Sequence, residues 1–126
     1  MSPDYAPFYD RQGRPLSFEQ WAALMPDDRA AWEQARRVAL DHVGPYLVST
    51  VWIGMPLNLG MSGPPLIFET MVFAAEEPLD ELTVRYSTEE LAQSGHQSTV
   101  TLVRTELDLS APEPADASQG PTEGLS

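Results

Sequence analysis

The chain contains no cysteine, no lysine and no long apolar run. The absence of cysteine excludes a disulfide framework, a thiolate nucleophile and a cysteine-ligated zinc site. No apolar run approaches the roughly 18 residues that span a bilayer, and the first residues lack the positive and apolar regions of a signal peptide. We therefore expect a cytoplasmic protein without membrane contact.

Acidic residues dominate the charge of the chain. Nineteen Asp and Glu stand against seven Arg, which gives a formal net charge of -12 at pH 7. Direct binding to a nucleic-acid backbone needs clustered positive charge, so this balance argues against it. An acidic surface that keeps the protein soluble is the simplest interpretation, and mimicry of a nucleic acid is a weaker alternative.

The 126 residues fit one domain followed by a tail. We assign residues 1–107 to a single α+β domain, which is large enough to form a core without metals or disulfides. Residues 108–126 hold three Pro, two Gly and four acids but no base. Such a segment buries too little apolar surface to offset its ordering entropy, so we predict a disordered acidic tail.

Two short helices are predicted near the N-terminus. Ser17 and Gln20 have the spacing of a capping box, in which each side chain bonds the other residue's backbone amide. The helix that begins there should end at Pro26. A second helix, capped by Asp27 or Asp28, should follow.

The rest of the domain is predicted to be a sheet and one more helix. Runs rich in β-branched and aromatic residues indicate about four strands, at 38–43, 46–53, 66–73 and 82–86. Ser87 and Glu90 then resemble a second capping box. The predicted fold is α+β: an antiparallel β-meander of about four strands, an N-terminal helical pair, and a C-terminal helix packed on one face.

Strand 66–73 has largely apolar residues on both of its faces, with Glu69 among them. Because alternate residues of a strand point to opposite sides, this strand is covered on both sides, or covered on one and used for binding on the other. If the hairpin is centred on the connection 54–65, Thr50 lies near Glu69 on one face.

Glu69 is the candidate site residue whose side chain is best suited to chemistry. A carboxylate among apolar side chains is a candidate catalytic acid or base, which Thr50, Ser49 or His96 could assist. The alternative, which we favour, is a structural contact, with Arg85 one strand away as a suitable partner.

The connection 54–65 carries three Gly, three Pro and no charge. Tryptophan and methionine are enriched at protein interfaces, so Trp52 and this loop are a candidate partner-binding surface. The alternative is that the loop folds back onto the sheet. The candidate binding residues are Trp52, Met55, Leu57, Leu59 and Met61.

No motif for a metal or cofactor is present. His42 and His96 lack metal-ligand spacing, and there is no phosphate loop, dinucleotide fingerprint, nucleophile elbow or H-E-x-x-H sequence. We expect no bound metal and no cofactor.

Several strings in the chain resemble a group of small uncharacterised proteins of actinobacteria and their phages. The resemblance covers roughly residues 46–104 and lies in VSTVWIG (48–54), GPPLIFETMVF (63–73), YSTEE (86–90) and GH (95–96). It implies a phage-type protein located in the host cytoplasm and implies no activity. Similar sequences often carry an Asp-His pair or more glycine in the loop, which here reads MPLNL, so a metal or acid–base role of the loop is disfavoured.

These observations support an accessory protein of phage type that acts by binding a protein partner, rather than an enzyme. A small enzyme or ligand-binding domain centred on Glu69 is the alternative hypothesis, and an acidic nucleic-acid mimic is the weaker one.

Overall fold

The structure is a computed structural model that describes residues 8–58 and 62–110, with side chains described up to Leu107. Residues 1–7, 59–61 and 111–126 lie outside the described part. The elements along the described chain are β1 (Phe8–Tyr9), β2 (Pro15–Leu16), α1 (Phe18–Ala23), α2 (Arg29–Arg36), β3 (Arg37–Val43), β4 (Tyr46–Trp52), β5 (Phe68–Ala74), β6 (Glu77–Pro78), a 3-10 turn (Asp80–Leu82), β7 (Val84–Tyr86) and α3 (Glu89–Ser110).

The predicted helical pair is confirmed. The Ser17 hydroxyl accepts a hydrogen bond from the Gln20 amide at 3.1 Å, and the Gln20 side chain accepts one from the Ser17 amide at 2.9 Å. Asp28, rather than Asp27, caps α2, because its carboxylate accepts from the Ala31 amide at 2.9 Å. Side-chain capping therefore fixes where both helices begin.

The predicted α+β class is also confirmed. In the described residues β3, β4 and β5 form consecutive antiparallel pairs, and both β6 and β7 pair with β5. Helix α3 packs across one face of this sheet. The hairpin β1–β2 adds a small separate sheet beside α1.

The predicted register between β4 and β5 is wrong by one residue. Thr50 pairs with Thr70, and Glu69 pairs with Val51 instead. The cause lies at the end of the ribbon, where the amides of Ile53 and Gly54 both donate to the Ile67 carbonyl, at 2.8 and 3.3 Å. Two residues of one strand thus lie opposite one residue of the other, as in a β-bulge. Because the register shifts by one residue, every side chain of one strand lies on the opposite face of the sheet from the predicted one.

Helix α3 begins one residue later than predicted and extends further. The Thr88 hydroxyl, not that of Ser87, accepts from the Leu91 amide at 3.1 Å. The helix continues to Ser110, so the first residues of the predicted tail are helical. The remainder of that tail prediction lies outside the described residues. Gly95 permits close packing, because a Cβ placed there would meet the Tyr86 ring at 2.2 Å.

The core lies between α3 and the sheet and has two apolar clusters. One contains Val43, Val48, Val72, Val100 and Val103, and the other contains Trp52, Ile67, Phe68, Tyr86 and Ala92. Thr50, Thr70 and His96 are fully buried between strand and helix as well. On β4 and β5 these buried residues are every second residue, so they share the face under α3, and the residues between them form the opposite face of the sheet.

Candidate functional site: the open face of the sheet

The face of the sheet opposite α3 is the candidate functional site, and we call it the open face. Strand pairing arranges its side chains in three transverse rows. The first row is Arg37, Val51, Glu69 and Arg85; the second is Leu40, Ser49 and Met71; the third is His42, Leu47 and Phe73.

The second and third rows form a mainly apolar floor. Leu47, Met71 and Phe73 are half-buried, and Leu40 is exposed. On the face under α3, by contrast, Val48 and Val72 are fully buried. The open face is therefore an apolar surface that the described chain leaves partly uncovered, which is typical of a binding surface.

A cavity of about 320 Å³ lies where α2 approaches the first row. Glu33 and Arg36 line the cavity on the α2 side, and Val51, Glu69 and Met71 line it on the sheet side. A volume of this size, with an apolar floor and a few charged groups at one end, has the character of a binding pocket.

Glu69 forms the predicted pair with Arg85. The Arg85 Nε donates to Glu69 Oε2 at 3.0 Å, and the Glu69 side chain is 12% exposed while that of Arg85 is 46% exposed. The two residues are also opposite each other in the β5–β7 register. This contact explains how the sheet accommodates a carboxylate among apolar neighbours.

Arg36 lies at the last turn of α2 and lines the same cavity. Burial lowers its pKa, and the nearby charges of Glu33 and Glu69 partly oppose that shift. Its guanidinium stands 4.3 Å from the centroid of the Trp32 ring, a cation–π contact that orients it. An arginine remains cationic throughout the physiological pH range, so the cavity has a permanent positive group.

Two of the three residues predicted to assist Glu69, Thr50 and His96, lie on the other side of the sheet. Thr50 Oγ1 is 2.7 Å from His96 Nδ1, and His96 Nε2 is 2.8 Å from Asp41 Oδ2. Thr70 Oγ1 continues this chain at 2.5 Å from Thr50 Oγ1. The prediction that Thr50 and His96 surround Glu69 is therefore wrong, because the one-residue change in register places Thr50 on the face covered by α3, and His96 belongs to α3 itself.

Asp41 sets the direction of these hydrogen bonds when the His96 ring is neutral. A carboxylate only accepts, so His96 Nε2–H donates to Asp41. In the neutral imidazole Nδ1 then accepts from the Thr50 hydroxyl, which in turn accepts from Thr70. The buried side chains of Thr50, Thr70 and His96 therefore all have hydrogen-bond partners, as buried polar groups require.

The chain from Asp41 to Thr50 has the order of a carboxylate–imidazole–hydroxyl triad. Thr50 and His96 are both 0% exposed, whereas a nucleophile must be reached by its substrate. Its role is structural: it joins β3, β4 and β5 to α3. Ser49, the remaining predicted helper, lies on the open face beside Met71, with which it is paired.

The predicted binding surface around Trp52 is only partly described. Trp52 is 2% exposed, and its Nε1 donates to the Tyr9 carbonyl at 3.1 Å, so its assignment as an interface anchor is wrong. Met55 is 43% exposed and Leu57 is half-buried. Leu59 and Met61 lie outside the described residues.

Sequence reasoning missed the contribution of Arg36 and Arg37 to the site. It did identify strand 66–73, which includes Glu69, as a strand with two largely apolar faces, and that signal leads to the open face. What it lacked was the position of α2 over the sheet, which only tertiary packing determines.

Within the described residues no group of His, Asp and Glu has the arrangement of a metal site. No helix of that same part of the chain is long and apolar enough to cross a membrane. In comparisons with known proteins, the chain matches no family model, no curated protein and no solved structure.

Proposed function

We propose that this chain is a phage-type accessory protein that acts by binding a partner protein through the open face. The observation that carries the proposal is the contrast between the two faces of one sheet. Helix α3 buries one face, while the apolar floor on the other is only half-buried and, among the described residues, α2 reaches over one end of it.

The dimensions of the open face suit a helix from the partner. Strands of seven residues, such as β4 and β5, extend roughly 23 Å at about 3.3 Å per residue. A helix of about four turns has the same length and, at roughly 10 Å in diameter, spans two or three strands. A partner helix would cover this face as α3 covers the other, which completes a layered arrangement of helix, sheet and helix.

The partner helix needs one apolar side. The apolar floor is formed by Leu40, Leu47, Met71 and Phe73. On β4 and β5, the only polar side chain in these two rows is that of Ser49. Apolar groups recurring every three or four residues on a helix would cover it, as in other complexes in which a groove binds an amphipathic helix.

Site-specific photocrosslinking tests this proposal. A benzoylphenylalanine at position 49 lies on the open face, and one at position 94 lies on the exposed side of α3 as a matched control. In a lysate of the source organism we expect one main adduct from position 49 and none from position 94. The adduct should map to a partner segment with apolar spacing of three to four residues, and Met71→Glu should reduce it at least about tenfold by placing a charge in the apolar floor.

Adducts formed equally from both positions, or from neither, would contradict the proposal. So would an adduct at position 49 that persists unchanged in Met71→Glu. Circular dichroism and urea unfolding of each variant establish that it is folded. Met71 is suited to this change because it is half-buried on the open face rather than part of the core under α3.

Catalysis centred on Glu69 is not supported as a second function. Its carboxylate is bonded to Arg85, and the hydroxyl and imidazole proposed to assist it lie across the sheet. The cavity beside Glu69 instead adds to the binding surface of the open face.

A further inference from the structure

The charged end of the open face has two acids and two arginines that line the cavity, Glu33, Glu69, Arg36 and Arg37. Glu33 is 3.7 Å from Arg29, and Glu69 is bonded to Arg85. Each acid thus has its own arginine in contact, Arg29 or Arg85, and the charges of both acids also lie near Arg36. Arg36 and Arg37, which line the cavity, form no side-chain hydrogen bond or salt bridge among the described residues.

An arginine that is half-buried without an acceptor is incompletely solvated, and this costs free energy. The lowered pKa of Arg36 has that origin, since burial is the largest cause of the shift. A carboxylate placed against the guanidinium would restore the missing hydrogen bonds, often through two parallel N–H···O contacts. The Trp32 ring already orients Arg36, which reduces the entropy lost on binding.

We infer that the partner helix carries an Asp or Glu side chain that binds Arg36 and Arg37 at the end of its apolar side. This inference rests on the proposed function, because it specifies the chemistry of the same occupant. Arg37 is in the first row of the open face, beside Val51, and the apolar floor begins one row further along. The positive end and the apolar floor therefore belong to one continuous surface.

The row spacing gives the partner a sequence pattern. Successive rows on one face are two residues apart, which is about 6.6 Å along a strand. One turn of the partner helix advances about 5.4 Å, which is close to the spacing of the rows. An acid over the first row is therefore followed, three or four positions later, by an apolar residue over Met71. A second apolar residue, one turn further on, lies over Phe73. The expected pattern is one acid at one end of an apolar stripe of two or more turns.

A display library of helical peptides tests the inference directly. Alanine and glutamine form the fixed scaffold, positions along one side are randomised, and no fixed position is acidic. The purified full chain is the bait, in parallel with three variants: the double variant Arg36→Gln/Arg37→Gln, the floor variant Met71→Glu, and Arg104→Gln as a matched charge control. Arg104 is exposed on α3, in the layer on the other side of the sheet.

Selection against the natural chain and against Arg104→Gln should enrich apolar stripes with an Asp or Glu at one end. The double variant should retain the apolar stripe and lose the acid. A selected peptide should bind the double variant at least about tenfold more weakly than the natural chain, since the charged side chain loses its partner. Replacing the acid of the peptide by its amide, Asp→Asn or Glu→Gln, should weaken binding to the natural chain and leave binding to the double variant unchanged. These four combinations form a double-mutant cycle, which isolates the interaction between the peptide's acid and the two arginines.

The outcomes separate this inference from the proposed function. Apolar stripes without an acid, or an acid that is still enriched by the double variant, would overturn the inference and leave binding at the open face intact. No enrichment, or enrichment that Met71→Glu does not alter, would overturn both. Urea unfolding of each variant ensures that a loss of binding reflects the surface rather than the fold.

Discussion

Tyr86 has a buried hydroxyl group that forms no hydrogen bond within the described residues. The residue is 9% exposed and its ring lies against Gly95 of α3. A buried hydroxyl without a partner retains the cost of leaving water and gains nothing in return. The side chain is held there by the apolar contacts of its ring with its cluster around Trp52 and Phe68.

Removing this hydroxyl is expected to be harmless. In Tyr86→Phe the free energy of unfolding should stay the same or rise, by up to about 1 kcal/mol, because the desolvation cost disappears while the ring contacts remain. Urea unfolding followed by circular dichroism measures the change. A decrease of more than about 1 kcal/mol would show that the hydroxyl has a partner, such as a buried water. Tyr46→Phe, at a half-buried tyrosine of the other cluster, is the matched control.

Among the secondary-structure elements, the hairpin β5–β6 contains the least favourable backbone. Its two central residues, Ala75 and Glu76, have φ of 53° and 71° although neither is glycine. Two-residue hairpin turns with positive φ at both positions strongly prefer Asn-Gly. The described chain thus accepts backbone strain at this turn, while Gly44 at the β3–β4 turn has φ of 59° without that penalty.

The double substitution Ala75→Asn/Glu76→Gly should stabilise the protein by about 1 kcal/mol, because both new residues adopt positive φ more readily. Thermal and urea unfolding provide the measurement. An unchanged or lower stability would show that contacts of the Glu76 side chain compensate for the strain. The single substitution Glu77→Gln, at the adjacent exposed strand position, controls for the altered charge.

The elements also show which parts of the fold the sequence determines locally. The α1 and α2 starts could be predicted because Ser17 and Asp28 bond amides only three residues away. The β4–β5 register could not, since it depends on two amides sharing the carbonyl of Ile67, across the connection. The pair of Glu69 with Arg85 was still predicted correctly, because it depends on the register between β5 and β7 and not on the register between β4 and β5.

At the scale of the whole molecule, repulsion between acids opposes folding. Nineteen acids and seven arginines leave an excess of twelve negative charges (19 − 7 = 12). Such an excess favours solubility and disfavours the compact state. The site differs from this general negative charge, since Arg36 and Arg37 line the cavity at one end of the open face and form no salt bridge within the described residues.

Salt should therefore stabilise the chain. Raising the ionic strength from about 0.01 M to about 0.15 M shortens the Debye length from about 30 Å to about 8 Å and weakens the repulsion. We expect the free energy of unfolding to rise by about 1 kcal/mol, measured by thermal unfolding in sodium chloride, with an equal osmolarity of sucrose as a control for non-ionic effects. A fall in stability would mean that ion pairs such as Arg11–Glu89 outweigh the repulsion.

The buried chain of Thr70, Thr50 and His96 also restricts which alternative pairings the ribbon can adopt. A slip of β5 against β4 by two residues keeps every side chain on its own face, so apolar alternation alone does not oppose it. It would, however, place Thr50 opposite Val72 or Phe68 instead of Thr70. Thr50 would keep its bond to His96, but the buried Thr70 hydroxyl would lose its bond to Thr50, and a buried group left without a partner costs about 1 to 3 kcal/mol. The polar chain thus provides specificity for one alignment out of several that the apolar pattern permits.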